Sequence, residues 1–125
     1  MRVIYLASAI RPKGDQTLRG NINYAKKIAL ELWAKGFAVF CPAANTDLPH
    51  SKSLALGLPE QQWLDADLEI LMRCDAVVVA PNWERSIGVK GEIAFAEDND
   101  IPVFYYPNLP PEVKSCLSPA RLSGC

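Results

Sequence analysis

The stretch that decides the fold of this chain is Ala76-Val77-Val78-Val79-Ala80, which Pro81 follows directly. It is apolar at every position and rich in β-branched residues, a pattern typical of a strand buried on both faces. A second run of this kind, Val3-Ile4-Tyr5-Leu6-Ala7, lies near the start of the chain. Strands that do not alternate between apolar and polar residues indicate a parallel sheet covered by helices on both sides.

Helical patterns separate the strand-like runs. Apolar residues recur at intervals of three and four from about Thr17 to Lys35, and Gly36 follows as a stop signal. The other predicted elements are strands at 37–41 and 101–106, helices at about 60–73 and 88–98, and a short helix at about 111–117. We interpret residues 43–59 as a long surface loop with one short helical turn at most.

The alternation of strands and helices predicts a doubly wound, flavodoxin-like α/β fold of four to five parallel strands in the order 2-1-3-4. A length of 125 residues suits a single domain over residues 1–125. In such sheets ligands bind at the carboxyl ends of the strands, near the point where the strand order reverses. The loops Ser8–Asp15 and Asn82–Lys90 are therefore expected to surround the site, with Pro42–Pro59 beside them.

The composition excludes several classes of function. The chain carries 13 Lys and Arg against 14 Asp and Glu, which disfavours a nucleic-acid or membrane-surface binder. One histidine and four scattered cysteines argue against a zinc site or a Ser-His-Asp triad, so we expect no metal and no cofactor. No apolar run is long enough to span a membrane, and free cysteines suit a reducing compartment, so we expect a cytoplasmic protein.

Two carboxylates and a tyrosine are the candidate catalytic residues. Glu92 is expected in the first turn of its helix, where the positive end of the helix dipole would keep it ionised as a nucleophile for an anomeric carbon. Asp67 could tilt towards the same sheet edge, and Tyr5 could donate its hydroxyl to a buried carboxylate. The alternatives are that Glu92 caps its helix, that Asp67 is an exposed helix residue and that Tyr5 is an ordinary core aromatic.

Candidate binding residues lie in the same loops. Ser8 and the basic residues that follow it, together with Ser86 and the backbone near Gly88, could hold a phosphate, although short basic clusters are more often solvated. Trp63 and Trp83 offer faces on which a base could stack, although tryptophans at such positions are more often packing residues.

These motifs resemble the nucleoside 2-deoxyribosyltransferase superfamily, which includes the 2'-deoxynucleoside 5'-phosphate N-hydrolases and small phage and bacterial relatives. Residues 3–11 resemble the family's opening, in which a tyrosine precedes a phosphate loop, and Asp67 matches the aspartate on the helix before the third strand. The stretch from Ser86 through Gly88 to Glu92 matches the family's signature around its catalytic glutamate. The chain departs from the hydrolases in the first loop, where Ala9 and Pro12 replace a serine and a glycine.

The resemblance implies that Glu92 attacks C1' of a nucleoside or nucleotide, the base departs, and water or a second base resolves the glycosyl-enzyme. The resemblance further implies a homodimer. Its phosphate site would contain Ser86, the first loop and a serine, Ser115, that reaches in from the neighbouring subunit. The implied phosphate-binding residues are Ser8, Ala9, Ile10, Arg11, Ser86, Gly88 and Ser115.

Three functions remain open at this point. The first is an N-glycosidase that cleaves the bond between base and (deoxy)ribose in a nucleoside 5'-monophosphate, with no nucleic acid or membrane as partner. The second is a nucleotide-binding protein without turnover, and the third is a deoxyribosyltransferase that exchanges bases. A flavodoxin-like electron carrier is disfavoured because the first loop lacks a phosphate cradle rich in hydroxyl and glycine residues.

Overall fold

A computed structural model of the chain describes residues 1–46, 57 and 59–114. A single parallel sheet lies at its centre, with the strand order β2-β1-β3-β4. The strands are β1 (Val3–Ala7), β2 (Ala38–Phe40), β3 (Ala76–Val79) and β4 (Val103–Tyr105). The doubly wound fold and the order 2-1-3-4 predicted from the sequence are therefore confirmed.

The helices lie between the strands, as the apolar periodicity predicted. They are α1 (Leu18–Ala34), α2 (Pro42–Thr46), α3 (Glu60–Met72) and α4 (Ile87–Asp98). Two short 3-10 turns complete the description, at Pro81–Trp83 and Pro111–Lys114. The second of these begins where we expected a short helix. Residues 43–46 of the expected loop 43–59 belong to the short helix α2, and most of that loop lies outside the described residues.

The sheet separates two apolar clusters. On one face Ile4 and Leu6 of β1 pack with α1, and on the other face Tyr5 and Ala7 pack with residues of α3 and α4. The alternation follows from the strand geometry, since successive side chains point to opposite faces. All four of these side chains are fully buried, so β1 is packed on both sides.

Both ends of α1 are stabilised locally, and the Gly36 stop was predicted from the sequence. The Thr17 hydroxyl accepts a hydrogen bond from the Gly20 backbone N–H at 2.9 Å, which caps the first turn. At the other end Gly36 has a φ of +94°, in the left-handed region where a glycine is free of steric cost. The chain can therefore leave α1 and enter β2 within a few residues.

Asp75 ties the central strands together at their amino ends. Its carboxylate accepts a hydrogen bond from the Val3 backbone N–H at 2.8 Å, while its own N–H donates to the Val3 carbonyl at 2.8 Å. These bonds lie at the edge of the sheet opposite to the expected site, so Asp75 has a structural role. No helix among the described residues is long and apolar enough to cross a membrane.

The double burial of β1 predicts a large cost for shortening its side chains. Leu6→Ala should lower the free energy of unfolding by about 3 kcal/mol, because it removes a fully buried leucine from a packed cluster. Leu30→Ala is the matched control, since Leu30 is 71% exposed on α1 and should change that free energy by no more than about 0.5 kcal/mol. Urea unfolding monitored by circular dichroism measures both, and equal costs would contradict the packing described above.

Candidate active site

Tyr5 is the residue around which the candidate site is arranged. It lies in the middle of β1, is fully buried, and directs its ring towards the face covered by α3 and α4. The ring packs against Phe40 with a centroid distance of 5.6 Å, and the hydroxyl donates a hydrogen bond to the Glu92 carboxylate. Of the two alternatives for Tyr5, the structure shows hydrogen bonding to a buried carboxylate.

Glu92 projects from α4 and is partly buried. Burial raises the pKa of its carboxyl to about 7, the Tyr5 hydrogen bond opposes this rise, and the negative charge of Asp67 adds to it. The expectation that a helix dipole keeps Glu92 ionised is wrong. The helix begins at Ile87, so Glu92 lies beyond the first turn, where the dipole has little effect and desolvation dominates.

Asp67 supplies the second carboxyl group from α3. It is half-buried, and desolvation raises its pKa to about 6. Its charge also raises the pKa of both Glu92 and Tyr5, which shows that the three groups are electrostatically coupled. Burial and the nearby carboxylates together hold the pKa of the Tyr5 phenol far above its ordinary value, so this hydroxyl remains a hydrogen-bond donor.

The amino end of α4 lies in the same region. Ser86 is the N-cap residue, and its hydroxyl oxygen accepts a hydrogen bond from the Val89 N–H at 3.2 Å. Gly88 follows in the first turn and is exposed; a Cβ added there would meet only the Ser86 hydroxyl, at 3.9 Å. The absence of a side chain leaves the backbone of this turn open to a ligand.

The loop after β1 contains the other predicted phosphate-binding residues. Ser8 and Ala9 are buried, Ile10 is half-buried against the α1 cluster, and Arg11 is exposed. The buried Asn21 side chain on α1 donates a hydrogen bond to the Ile10 carbonyl at 3.1 Å and so holds the loop in place. The sequence analysis did not single out Asn21, although a polar residue on the buried face of an amphipathic helix is a signal of such a role.

The loops after β1 and β3 meet at Gly14. A Cβ added to Gly14, which has a φ of +61°, would lie 3.3 Å from a guanidinium nitrogen of Arg85. The two loops that the sequence predicted around the site are therefore neighbours. Arg85 brings a positive charge to this contact that the sequence analysis did not identify.

Two buried polar atoms in the described chain have no hydrogen-bond partner, the Ser8 hydroxyl oxygen and the Asn82 amide oxygen. Ser8 directly follows β1, and Asn82 lies in the turn that follows β3. These strands pair through Ala7 and Val79, so both atoms belong to the carboxyl edge of the sheet. Asn82 was not among the residues predicted from the sequence.

The two candidate stacking residues differ in their surroundings. Trp83 is half-buried and packs edge-to-face on Tyr105 with a centroid distance of 5.5 Å, which fits a packing role. Trp63 lies on α3, one turn before Asp67, and is 36% exposed. Ser115, the residue expected to reach a neighbouring subunit, lies outside the described residues.

The arrangement suits acid-base and nucleophilic chemistry at carboxyl groups. Within the described ranges, no group of three or more histidine, cysteine, aspartate or glutamate residues has the geometry to hold a metal ion. The described cysteines, Cys41 and Cys74, are buried and form no disulfide bond. Two carboxyls whose pKa values lie near neutrality can each exchange a proton or act as a nucleophile at physiological pH.

Solved structures with the same fold include two enzymes. One is a 2-deoxyribosyltransferase from Bacillus psychrosaccharolyticus, with a TM-score of 0.59 and 20% identity over 92% of this chain and 82% of that one. The other is a CMP N-glycosidase from Clostridium botulinum, with a TM-score of 0.53 and 15% identity over 91% of this chain and 79% of that one. At these identities the likeness establishes the fold, and at that level it confirms the resemblance noted from the sequence.

The family to which the chain belongs is shown by a sequence match that spans the whole sheet. A comparison with curated proteins returned no significant match. A family model, by contrast, matches from the start of β1 to the end of β4. The chain therefore belongs to the family described as "Domain of unknown function (DUF4406)", whose model matches residues 3–105.

Proposed function

We propose that this protein is an N-glycosidase that cleaves the bond between base and (deoxy)ribose in a nucleoside 5'-monophosphate. The observation that carries the proposal is the hydrogen bond from the buried Tyr5 hydroxyl to Glu92, beside a second carboxyl with which both groups interact. A tyrosine that orients a carboxylate in a partly desolvated site is well suited to nucleophilic attack at an anomeric carbon.

The chemistry follows from these groups. The ionised Glu92 carboxylate attacks C1', and the bond to the base breaks with its electron pair leaving on the base nitrogen. Asp67, whose pKa of about 6 leaves part of it protonated near neutral pH, donates a proton to the departing base. Water then attacks C1' of the glycosyl-enzyme and gives up a proton to the ionised Asp67, which releases the sugar phosphate and restores the Glu92 carboxylate and the protonated Asp67.

The transition state in both steps carries positive charge on the sugar ring. Carboxylates held at fixed positions in a poorly solvated site stabilise such an oxocarbenium-like state more strongly than water does. Tyr5 is the positioning residue, because its hydroxyl stays protonated and directs the Glu92 oxygen. The reaction requires no redox change.

A phosphate group fits the amino end of α4. The Ser86 oxygen already accepts the Val89 N–H, yet a hydroxyl can accept and donate at the same time, so its proton can be directed at a phosphate oxygen. The exposed backbone at Gly88 and the positive end of the helix dipole add to this preference for an anion. We propose Ser8, Ala9, Ile10 and Arg11 as the opposite wall and Ser115 of a second copy as a further ligand in a homodimer.

The two solved structures support chemistry of this class, because one is a 2-deoxyribosyltransferase and the other is a CMP N-glycosidase. Both reactions exchange or hydrolyse the bond between a sugar and a base. The transferase makes base exchange the second candidate function for this chain. Under either function the binding partner is a small nucleoside or nucleotide, and we propose that the protein acts in the cytoplasm.

Replacement of the nucleophile tests the proposal directly. Glu92→Gln should lower the rate of base release from a panel of nucleoside 5'-monophosphates by roughly 10³-fold or more, because an amide cannot form the glycosyl-enzyme. Glu97→Gln, an exposed change on the same helix, is the control and should leave the rate unaltered. Chromatography of the released base measures the rate, and equal activity of wild type and Glu92→Gln would refute the proposal.

The pH dependence of kcat/KM should report the ionisation of Glu92. The rate should be highest between about pH 6 and pH 7 and fall on both sides, because the reaction needs an ionised Glu92 and a protonated Asp67. Tyr5→Phe should move this optimum to higher pH, since the lost hydrogen bond had lowered the pKa of Glu92. Asp67→Asn, which removes the proton donor, should lower the rate and abolish its fall at high pH. The rise that remains should lie below pH 7, since the lost negative charge had raised the pKa of Glu92. Shifts of both variants in one direction would contradict the coupling described for the three groups.

A free acceptor base distinguishes hydrolysis from exchange. For a hydrolase, excess adenine or cytosine added to the reaction should leave the yield of sugar phosphate unchanged and produce no new nucleotide. Mass spectrometry of the products provides the measurement. Appearance of a nucleotide that carries the added base would establish transfer, and ligand binding without any product would establish a binding protein.

A further inference from the structure

We infer that Asn82 is a substrate-binding residue that accepts a hydrogen bond from an uncharged donor, either a sugar hydroxyl or an amino group of the base. This inference rests on the proposed function and deepens it. The observation behind it is that the Asn82 amide oxygen is sealed from solvent and has no hydrogen-bond partner in the part of the chain that the structure describes.

An unpaired buried acceptor is unusual because it loses its hydrogen bonds to water without replacement. Asn21 and Asn99 have no such unpaired buried atom, and both side chains make structural hydrogen bonds. The Asn21 amide nitrogen donates to the Ile10 carbonyl at 3.1 Å, and the Asn99 amide nitrogen donates to the Phe95 carbonyl at 2.8 Å. Asparagine after a strand commonly bonds to nearby backbone and shapes the turn. The oxygen of Asn82 makes no such bond, so the turn at Pro81–Trp83 gives no structural reason for this side chain.

The position of Asn82 points to a ligand. The residue lies at the carboxyl end of β3, and the other unpaired buried oxygen, that of Ser8, lies at the carboxyl end of the adjacent strand β1. The Ala80 N–H donates to the Ala7 carbonyl at 2.8 Å, which keeps the two strand ends side by side. Parallel α/β sheets bind their ligands at such a pair of strand ends. Two unpaired buried oxygens at these strand ends indicate that the substrate supplies their hydrogen-bond partners.

The chemistry of the amide oxygen limits what it can bind. In the side-chain orientation that the structure shows, the buried atom is the oxygen, which only accepts hydrogen bonds. An ionised phosphate oxygen also only accepts them, so the two repel. The phosphate therefore belongs at the amino end of α4, and Asn82 contacts another part of the nucleotide. Hydroxyl and amino groups are the donors that a nucleoside offers. The Ser8 hydroxyl can accept or donate, so it accommodates either kind of neighbour.

The experiment compares Asn82→Leu with the unsubstituted side chain, both in a Glu92→Gln background that prevents turnover. Calorimetry measures the Kd of a nucleoside 5'-monophosphate, of analogues that lack the 2'-hydroxyl, the 3'-hydroxyl or the base amino group, and of inorganic phosphate. Asn82→Leu should weaken binding of the complete nucleotide roughly 10-fold and leave the Kd of inorganic phosphate unchanged. One analogue should bind equally to both proteins, which identifies the donor that Asn82 contacts.

Thermal unfolding provides the second readout. Asn82→Leu should melt no lower than its parent, since an apolar side chain of similar size replaces an unpaired buried acceptor. Asn99→Ala is the matched control: it removes an amide that has a partner, at the opposite end of α4, and should lower the melting temperature without changing the Kd. Should Asn82→Leu not fold, Asn82→Ala provides the same comparison.

The outcomes separate this inference from the proposed function. Nucleotide binding that Asn82→Leu leaves intact, with or without a lower melting temperature, would overturn the role of Asn82 alone. Equal weakening of nucleotide and inorganic phosphate would also overturn it, since the side chain would then contact the phosphate. Absence of nucleotide binding in every variant, together with absence of base release by the wild type, would overturn the proposed function itself.

Discussion

Strand β1 is packed on both faces, and this constraint positions the whole site. Ile4 and Leu6 are buried against α1 while Tyr5 is buried against the helices of the other face. Strands β2 and β3 also pair with its two edges, so β1 is held by neighbours on every side. This packing fixes the position of the Tyr5 hydroxyl, which donates its hydrogen bond to Glu92 of α4. The candidate site is in this way attached to a central strand of the sheet.

The same packing raises the free-energy cost of ionising two carboxyl groups and moves their pKa values towards neutrality. Desolvation raises the pKa of Glu92 to about 7 and that of Asp67 to about 6, which means that ionising them in the folded protein is harder than in water. The unfolded chain loses these protons near pH 4, whereas the folded protein holds them until about pH 6 to 7. The two groups therefore lower the free energy of unfolding progressively as pH rises from about 4 to about 7. Carboxyl groups retained at such a cost are characteristic of sites where protons are transferred.

The elements that could be predicted from the sequence are those with local patterns. The apolar runs that form β1 and β3, and the period of α1 with its stop at Gly36, were all identified. Tyr5, Asp67 and Glu92 were also nominated, yet the ionisation expected for Glu92 was wrong, because it was argued from the distance to a helix terminus. The environment of that carboxyl depends on the strand and helix packed against it, which lie far away along the chain.

By itself the sequence determined the class of the fold, the strand order and the edge at which the site lies, since periodicity and chain connectivity are properties of neighbouring residues. Only the tertiary structure decided the burial, the hydrogen bonding and the ionisation of the groups at that edge. Tyr5 is 87 residues from Glu92, and the unpaired oxygens of Ser8 and Asn82 belong to different loops. Hydrogen bonding, burial and charge act through space, so the chemical character of this site arises only when the sheet brings its strand ends together.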